Sequence, residues 1–404
     1  MLNICFTKLI IATIIATMSV SSMEPMMPEE CRKLSDKAVD LIEKSSAFAG
    51  MLNNDVALAV GDLVRSMNCY YSNFIEGHDT HPRDIERALN EDFDASKENR
   101  DLQKEAKAHI EVQGLIDGGE APGDALTKRF ALWTHKEFCE RLPKSMLWAK
   151  NPDTGKKVPV VPGEFRKDFV KVGRHVPPAH EELDGFLARF EEAYSPAHHS
   201  KIRRLISVAA AHHRFAWIHP FIDGNGRVTR LMSHACLKQL GIGSSLWSVS
   251  RGLARHSGEY KQFLQAADSP RHGSLDGRGA LSERALTKFC EYFLDVCIDQ
   301  VDFMSKSLDL KRLQLRIERY CTYEIDSRNL LPGSWPLLRE ALLSGEFKRG
   351  RAVDITGKSP AQARKVLGKL VEKGLLISDT ERGPVRLGLP LEVLDHWIPG
   401  LYHR

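Results

Sequence analysis

The sequence predicts a mainly α protein with one small β-rich interruption and a separate C-terminal domain. Three observations carry that prediction. Apolar residues recur at three- and four-residue spacing through most of the 404 residues, the pattern of helices that bury one face. One stretch, 152–178, breaks the pattern with Pro, Gly and β-branched residues. Beyond Leu331-Pro332-Gly333, three short helical segments precede two extended runs. With 42% hydrophobic and 27% charged residues the chain can bury a substantial core and is not disordered. Its length suggests two or three domains. A formal net charge of +4 is small for this length, so local patches decide any question of nucleic acid.

Residues 1–22 form a segment of their own. Lys8 followed by the apolar run Leu9 to Met18 resembles the charged and apolar parts of a secretory signal, yet it is too short to span a bilayer. No small-residue cleavage site follows, and Met23, Met26 and Met27 offer later starts, so a mis-assigned start is the preferred reading. The eight cysteines, Cys5, Cys31, Cys69, Cys139, Cys236, Cys290, Cys297 and Cys321, include no C-x-x-C pair or zinc spacing. They read as reduced, mostly buried thiols, which favours the cytoplasm.

Residues 23–125 read as an N-terminal helical module with helices over 32–49, 54–73, 82–91 and 98–115. In the second, Val56, Val60, Leu63, Val64 and Met67 repeat on one face; the third opens at Pro82 with Asp84 and Ile85. A catalytic core over 126–300 follows. It holds helices at 126–142, 179–194, 202–218 and 228–240 around the β-rich stretch. A long helical stretch over 285–325 leads through a helical linker, 301–330, to a domain over 331–404.

The most specific segment is His219-Pro220-Phe221-Ile222-Asp223-Gly224-Asn225-Gly226-Arg227-Val228-Thr229-Arg230. Gly224 and Gly226 free the backbone to turn N–H groups toward one point, and a helix starting there adds the positive end of its dipole. That combination holds a phosphate. Arg227 and Arg230, three apart, share a helix face and can grip further phosphates, so a triphosphate fits. Asp223 offers the hard oxygen that Mg²⁺ prefers when it keeps its waters and bridges phosphates. His219 supplies an imidazole, the side chain best suited near neutral pH to take a proton from a hydroxyl.

This segment fills every position of H-P-F-x-[D/E]-G-N-G-R-x-x-R, and the chain resembles the Fic family, whose members move AMP from ATP onto a protein hydroxyl. The resemblance implies a Fic-type helical core. It also implies that His219 is the general base, that Asp223 holds Mg²⁺, that Gly224, Asn225 and Gly226 bind and orient the α- and β-phosphates, and that Arg227 and Arg230 engage the outer ones. Phe221 would anchor the loop in the core.

A second motif lies earlier, at Ser72-Asn73-Phe74-Ile75-Glu76-Gly77. Ser72 and Glu76 are four apart on one helix face, and Gly77 suits the position just past the helix end. The segment resembles the family's inhibitory motif, [S/T]-x-x-x-E-[G/N]. The resemblance implies that Glu76 pairs with Arg230, takes the place of the γ-phosphate and leaves ATP in an unproductive pose.

Between the motifs, Phe169-Val170-Lys171-Val172-Gly173-Arg174-His175-Val176-Pro177-Pro178 alternates and then breaks at Gly and Pro. It resembles the family's β-hairpin flap. The implied target-binding residues are Val170, Lys171, Val172 and Gly173, offering an edge to which a protein segment adds as a strand; a hairpin that merely covers the core is the alternative. Ser248 to Gly252, Tyr260 to Leu264 and Asp276 to Gly279 resemble segments that close the nucleotide pocket around adenine and ribose. Tyr260 is the candidate to stack near the base, against a plain core role, and Asp276 to Gly279 reads equally as a tight turn. No motif places His175, His212, His213 or His234.

In the last domain one helix spans Trp335 to Leu343 and a second Arg351 to Ile355, while Ser359-Pro360 caps a third. Ala363, Val366, Leu367, Leu370 and Val371 form its buried stripe, leaving Gln362, Arg364, Lys365 and Lys369 to solvent. Leu375 to Ser378 and Val385 to Leu387 would be a wing. The domain resembles a winged helix-turn-helix, which some longer Fic proteins carry. Its partner would be DNA, with the basic side chains on phosphates, or another protein; the nearby Glu372 and the lack of an arginine-rich arm favour a structural or protein-recognition role.

Together these features imply an autoinhibited protein adenylyltransferase that uses ATP and Mg²⁺ to modify a Ser, Thr or Tyr hydroxyl of a target protein. Relatives often form dimers, so a homodimer is a further candidate partner; no membrane span is expected. The alternatives are a DNA-binding regulator whose nucleotide site senses ATP, and a Fic enzyme that uses another nucleotide or removes AMP. A base such as His219 has no purpose in sensing alone, which favours the enzyme.

Overall fold

The computed structural model describes residues 18–151, 154–242 and 244–402. The signal-like run from Lys8 to Thr17, together with Cys5 and Pro152, lies outside them. In chain order the helices are α1 (Arg32–Ala49), α2 (Asn54–Ile75), α3 (Pro82–Leu89), α4 (Lys97–Gly118), α5 (Lys128–Glu140), α6 (Leu183–Tyr194), α7 (Lys201–Ile218) and α8 (Asn225–Gln239). They continue with α9 (Val249–Arg255), α10 (Ser257–Ala267), α11 (Glu283–Ser307), α12 (Leu310–Asp326), α13 (Ser334–Ser344), α14 (Ala352–Thr356), α15 (Pro360–Glu372) and α16 (Leu391–Trp397). Two antiparallel pairs complete the fold: β1 (Trp148–Lys150) with β2 (Lys157–Pro159), and β3 (Leu376–Ile377) with β4 (Arg386–Leu387). The protein is mainly α, as its periodicity predicts.

Local chemistry sets the helix ends. Asn53 caps α2 by accepting the Val56 N–H at 2.9 Å, and Ser359 caps α15, whose first residue is Pro360. At the far end of α2, Gly77 takes φ +86°, and the N–H groups of Gly77 and His78 return to the carbonyls of Phe74 and Asn73. This is a Schellman closure, with glycine where the sequence asks for it. The continuous helix expected over 285–325 is instead two, because Asp309 accepts the Arg312 N–H at 3.0 Å and starts α12 afresh. A capping aspartate outweighs apolar periodicity that runs through it.

The described residues pack as two compact units, each drawn from three segments: those up to 35, those in 121–236 and in 258–293, and those in 36–120, in 237–257 and from 294 on. In the second unit the expected α2 stripe is buried, with Val60, Val64 and Met67 at 0% exposure. There α13, α14 and α15 are followed by the β3–β4 ribbon, joined through the Phe347–Val385 bridge, and then by α16, which the sequence reading did not anticipate. Ala363, Val366, Leu367 and Leu370 are buried on α15, while Val371 is only half-buried. Lys369 pairs with Glu372 at 2.8 Å.

The first unit surrounds α7. Residues 24–26 run against it: Arg214, 0% exposed, donates from Nε and Nη2 to the Pro25 carbonyl at 3.1 and 2.8 Å. Leu281 N–H donates to Glu24 O at 2.8 Å, and the Tyr194 hydroxyl to Met26 O at 2.6 Å. Gly279 is required here, since a Cβ would lie 2.3 Å from the Glu24 backbone.

Candidate active site

His219 ends α7 in the left-handed region, φ 49° and ψ 60°, and its N–H still bonds the Phe215 carbonyl at 3.0 Å. Its Nδ1 lies 3.3 Å from the Ala216 carbonyl. A carbonyl only accepts, so this contact is a hydrogen bond in the tautomer with the hydrogen on Nδ1 and the lone pair on Nε2. That is the tautomer a base needs.

The following loop closes on itself. Asn225 Oδ1 accepts the Phe221 N–H at 2.9 Å and its Nδ2 donates to the Phe221 carbonyl at 2.8 Å. Both polar atoms of this amide brace the loop, and Asn225 is 2% exposed. Gly224 takes φ +82° and its carbonyl accepts the Val228 N–H, so it caps α8. Gly226, expected in the turn, is already the second residue of α8, so a single glycine makes the bend.

Asp223 is half exposed, with Oδ1 2.6 Å from the Gly224 N–H and 3.4 Å from Arg227 Nη2. One solvent-facing carboxylate suits an Mg²⁺ ion that arrives with phosphates and water. Among the described residues no group of three or more His, Cys, Asp or Glu is placed to hold a metal by itself. Arg227 is 5% exposed, 5.2 Å from the Phe138 ring centroid, and Arg230 is 4% exposed.

Two supporting residues have no sequence signal. Arg166, 4% exposed, donates from Nε to the His219 carbonyl at 2.9 Å and from its backbone to the Pro220 carbonyl at 2.9 Å. Its Nη2 reaches the Pro178 carbonyl, so one guanidinium ties the end of the flap to the catalytic turn. Burial lowers it to about 10. His135 stacks on Phe221 at 3.9 Å and 5°, and its Nδ1 accepts the Gly163 N–H at 3.0 Å. Burial pulls it down to about 4, against a hydrogen bond to the Asp223 backbone, so it is neutral. Helical spacing puts His135 on a buried face but says nothing of its partner.

The flap is smaller than expected. Val172 and His175 exchange backbone hydrogen bonds at 3.0 and 2.9 Å across a turn at Gly173, φ +59°, and no longer ladder forms; the ladder of this region is β1–β2. His175 Nε2 donates to the Trp217 carbonyl at 2.7 Å, which fastens the turn to the end of α7. Val172 is exposed, as an edge for a partner strand requires; Lys171 and Gly173 are exposed too, and Val170 is half-buried.

Tyr260 lies on α10. It is 5% exposed, its hydroxyl lies 2.7 Å from His212 Nε2, and Ser233 Oγ lies 2.8 Å from His212 Nδ1. Burial, with the charge of Arg230 beside it, lowers His212 to about 3. The neighbouring His213 bonds the Leu264 carbonyl and Asp268. Asp276 accepts from His272 N–H, Arg284 N–H and Ser282 Oγ, the tight turn that was the alternative reading. In the other unit Ser72 is fully buried on α2, and Glu76 is exposed at its end. Arg251 is also buried there; its guanidinium serves backbone carbonyls rather than an adenine pocket.

Residues 125–237 match the Fic/DOC family. The matched stretch contains the loop from His219 to Arg230 described above. Over 137 residues it is 41% identical to the protein adenylyltransferase Fic of Drosophila virilis and 42% identical to that of Drosophila ananassae. Each match covers 34% of this chain and 28% of the relative, so the chain spans under a third of those proteins. A Fic family protein from Desulfovibrio desulfuricans G20 shares the fold at TM-score 0.51 and 16% identity, over 90% of this chain and 98% of that one.

Proposed function

We propose that the protein is a protein adenylyltransferase that moves AMP from ATP to a Ser, Thr or Tyr hydroxyl of a target protein, held down by its own Glu76. The observation that carries this reading is His219 at the end of α7, its Nδ1 3.3 Å from the Ala216 carbonyl, followed at once by the glycine turn that opens α8. The target hydroxyl would give its proton to Nε2 as its oxygen bonds the α-phosphorus and the bond to the β-phosphate oxygen breaks, releasing pyrophosphate. Backbone N–H groups at the start of α8 and the guanidinium of Arg227 would hold the negative oxygens, and Arg230 the outermost phosphate. Mg²⁺, held by Asp223, would neutralise phosphate charge. The exposed edge at Val172 would align the target backbone so that the hydroxyl meets Nε2.

Inhibition follows from the motif at the end of α2, where Glu76 competes with the γ-phosphate for Arg230. Labelled ATP tests both parts. Glu76→Gly raises AMP transfer, and adding His219→Ala reduces it by at least about a hundredfold, the usual size of a general-base contribution. Equal labelling of wild type and Glu76→Gly rejects the inhibition; labelling that survives the loss of His219 rejects the base.

A further inference from the structure

Helix α2, which ends in Ser72 and Glu76, is gripped just upstream of those residues by a segment more than 300 positions later. The Tyr71 hydroxyl donates to the Leu401 carbonyl at 2.8 Å. The same carbonyl accepts Arg251 Nε at 3.1 Å, while Arg251 Nη2 reaches the Gly400 carbonyl at 2.8 Å and Nη1 reaches Gln300 Oε1 at 2.9 Å. The Arg251 carbon lies 3.6 Å from the Phe303 ring centroid. Tyr402 meets Tyr70 edge-on at 5.3 Å, and Leu401 is 1% exposed.

Arg251 is 1% exposed, and carbonyls and a ring balance its charge. If residues 400–402 left, that guanidinium would lose two of its three hydrogen bonds inside a low-dielectric core, a costly arrangement that keeps the segment closed. The grip reaches α2 at a second point: Ser248, which caps α9, donates to Asn68 Oδ1, and Asn68 Nδ2 donates to Gln113 Oε1 on α4 at 3.1 Å. Asn68 and Tyr71 are one turn apart, so α9 and the 400–402 segment fix the rotation and height of α2 immediately before the inhibitory residues.

We infer that residues 400–402 form a clasp on the inhibitory helix, and that Arg251 and Tyr71 are positioning residues whose loss releases inhibition although neither touches nucleotide. The inference rests on the autoinhibition reading and deepens it. Opening the clasp frees α2 to shift, and Glu76 then competes less well for its arginine. A clasp of this kind makes the far end of the chain a regulatory input: a partner that binds residues 400–402 would raise AMP transfer.

The test compares AMP transfer, melting temperature and limited proteolysis of α2 for wild type, Tyr71→Phe, Arg251→Met, Glu76→Gly, and each clasp variant combined with Glu76→Gly. Tyr71→Phe removes one hydroxyl and keeps the ring, so it folds even if Arg251→Met does not. The expected result is a roughly three- to tenfold rise in transfer for the clasp variants, the size of one or two lost hydrogen bonds. Glu76→Gly should exceed them, and the combinations should show no further rise, because both lesions remove the same restraint. A rise for Glu76→Gly with Tyr71→Phe at the wild-type rate overturns the clasp and leaves autoinhibition standing. No rise for Glu76→Gly overturns autoinhibition, and the clasp with it. A rise that adds in full to that of Glu76→Gly overturns the clasp, since it would come from a separate route.

Discussion

At the residue scale, the site relies on imidazoles held in one protonation state by their surroundings. His212 lies between Ser233 and Tyr260 with its pKa lowered to about 3, so it is neutral in the fold across the range where an unfolded histidine charges. Between about pH 6.5 and pH 3 the unfolded chain therefore binds the extra proton and stability falls as pH falls, by up to about 1.4 kcal/mol per pH unit from this group. Melting temperatures measured from pH 7 to pH 4 should show that decline, and His212→Gln should make it shallower, the remainder coming from His135 and His213, which burial also lowers. An unchanged slope in the variant would mean that His212 is not the titrating group. The Nδ1 of His219 lies 3.3 Å from the Ala216 carbonyl, a contact that is a hydrogen bond when Nδ1 carries the hydrogen.

Among the elements, the helix ends show best what the sequence could tell. Gly77 at φ +86° has open space around a would-be Cβ, so Gly77→Ala carries conformational strain alone. The expected cost is about 1 kcal/mol, read by denaturant titration, with Gly77→Asn milder because asparagine tolerates the left-handed region. A loss below the error of the titration would refute the closure as a stabilising feature. Gly77, Pro82 and Ser359-Pro360 were legible in advance because a cap depends on neighbours within four residues. The signature loop was legible for the same reason, and Asp309 was missed only because the apolar repeat ran through it. Arg166, His135 and Arg251 were not legible. Arg166 and His135 find their main partners 12 to 86 residues away and Arg251 mainly 49 to 150 away, so a lone charge or imidazole in the sequence carries no mark of its destination. The two glycines and the asparagine of the loop were legible as a group but not in their division of labour, which depends on where α8 begins.

For the whole molecule, each compact unit is assembled from three stretches of chain, and the unit that holds His219 includes residues 24–26. Of the three methionines that could begin a shorter product, Met23 keeps the Pro25 carbonyl that Arg214 binds, and Met26 and Met27 do not. A product begun at Met27 should melt several degrees lower than one begun at Met23, because a fully buried guanidinium would lose its main acceptor; equal melting points would show that water or a rearranged neighbour replaces it. For anyone cutting this protein into pieces, the unit that holds His219 cannot be excised as a continuous stretch. A fragment chosen by the familiar motif alone would arrive without the short leader that closes over its central helix.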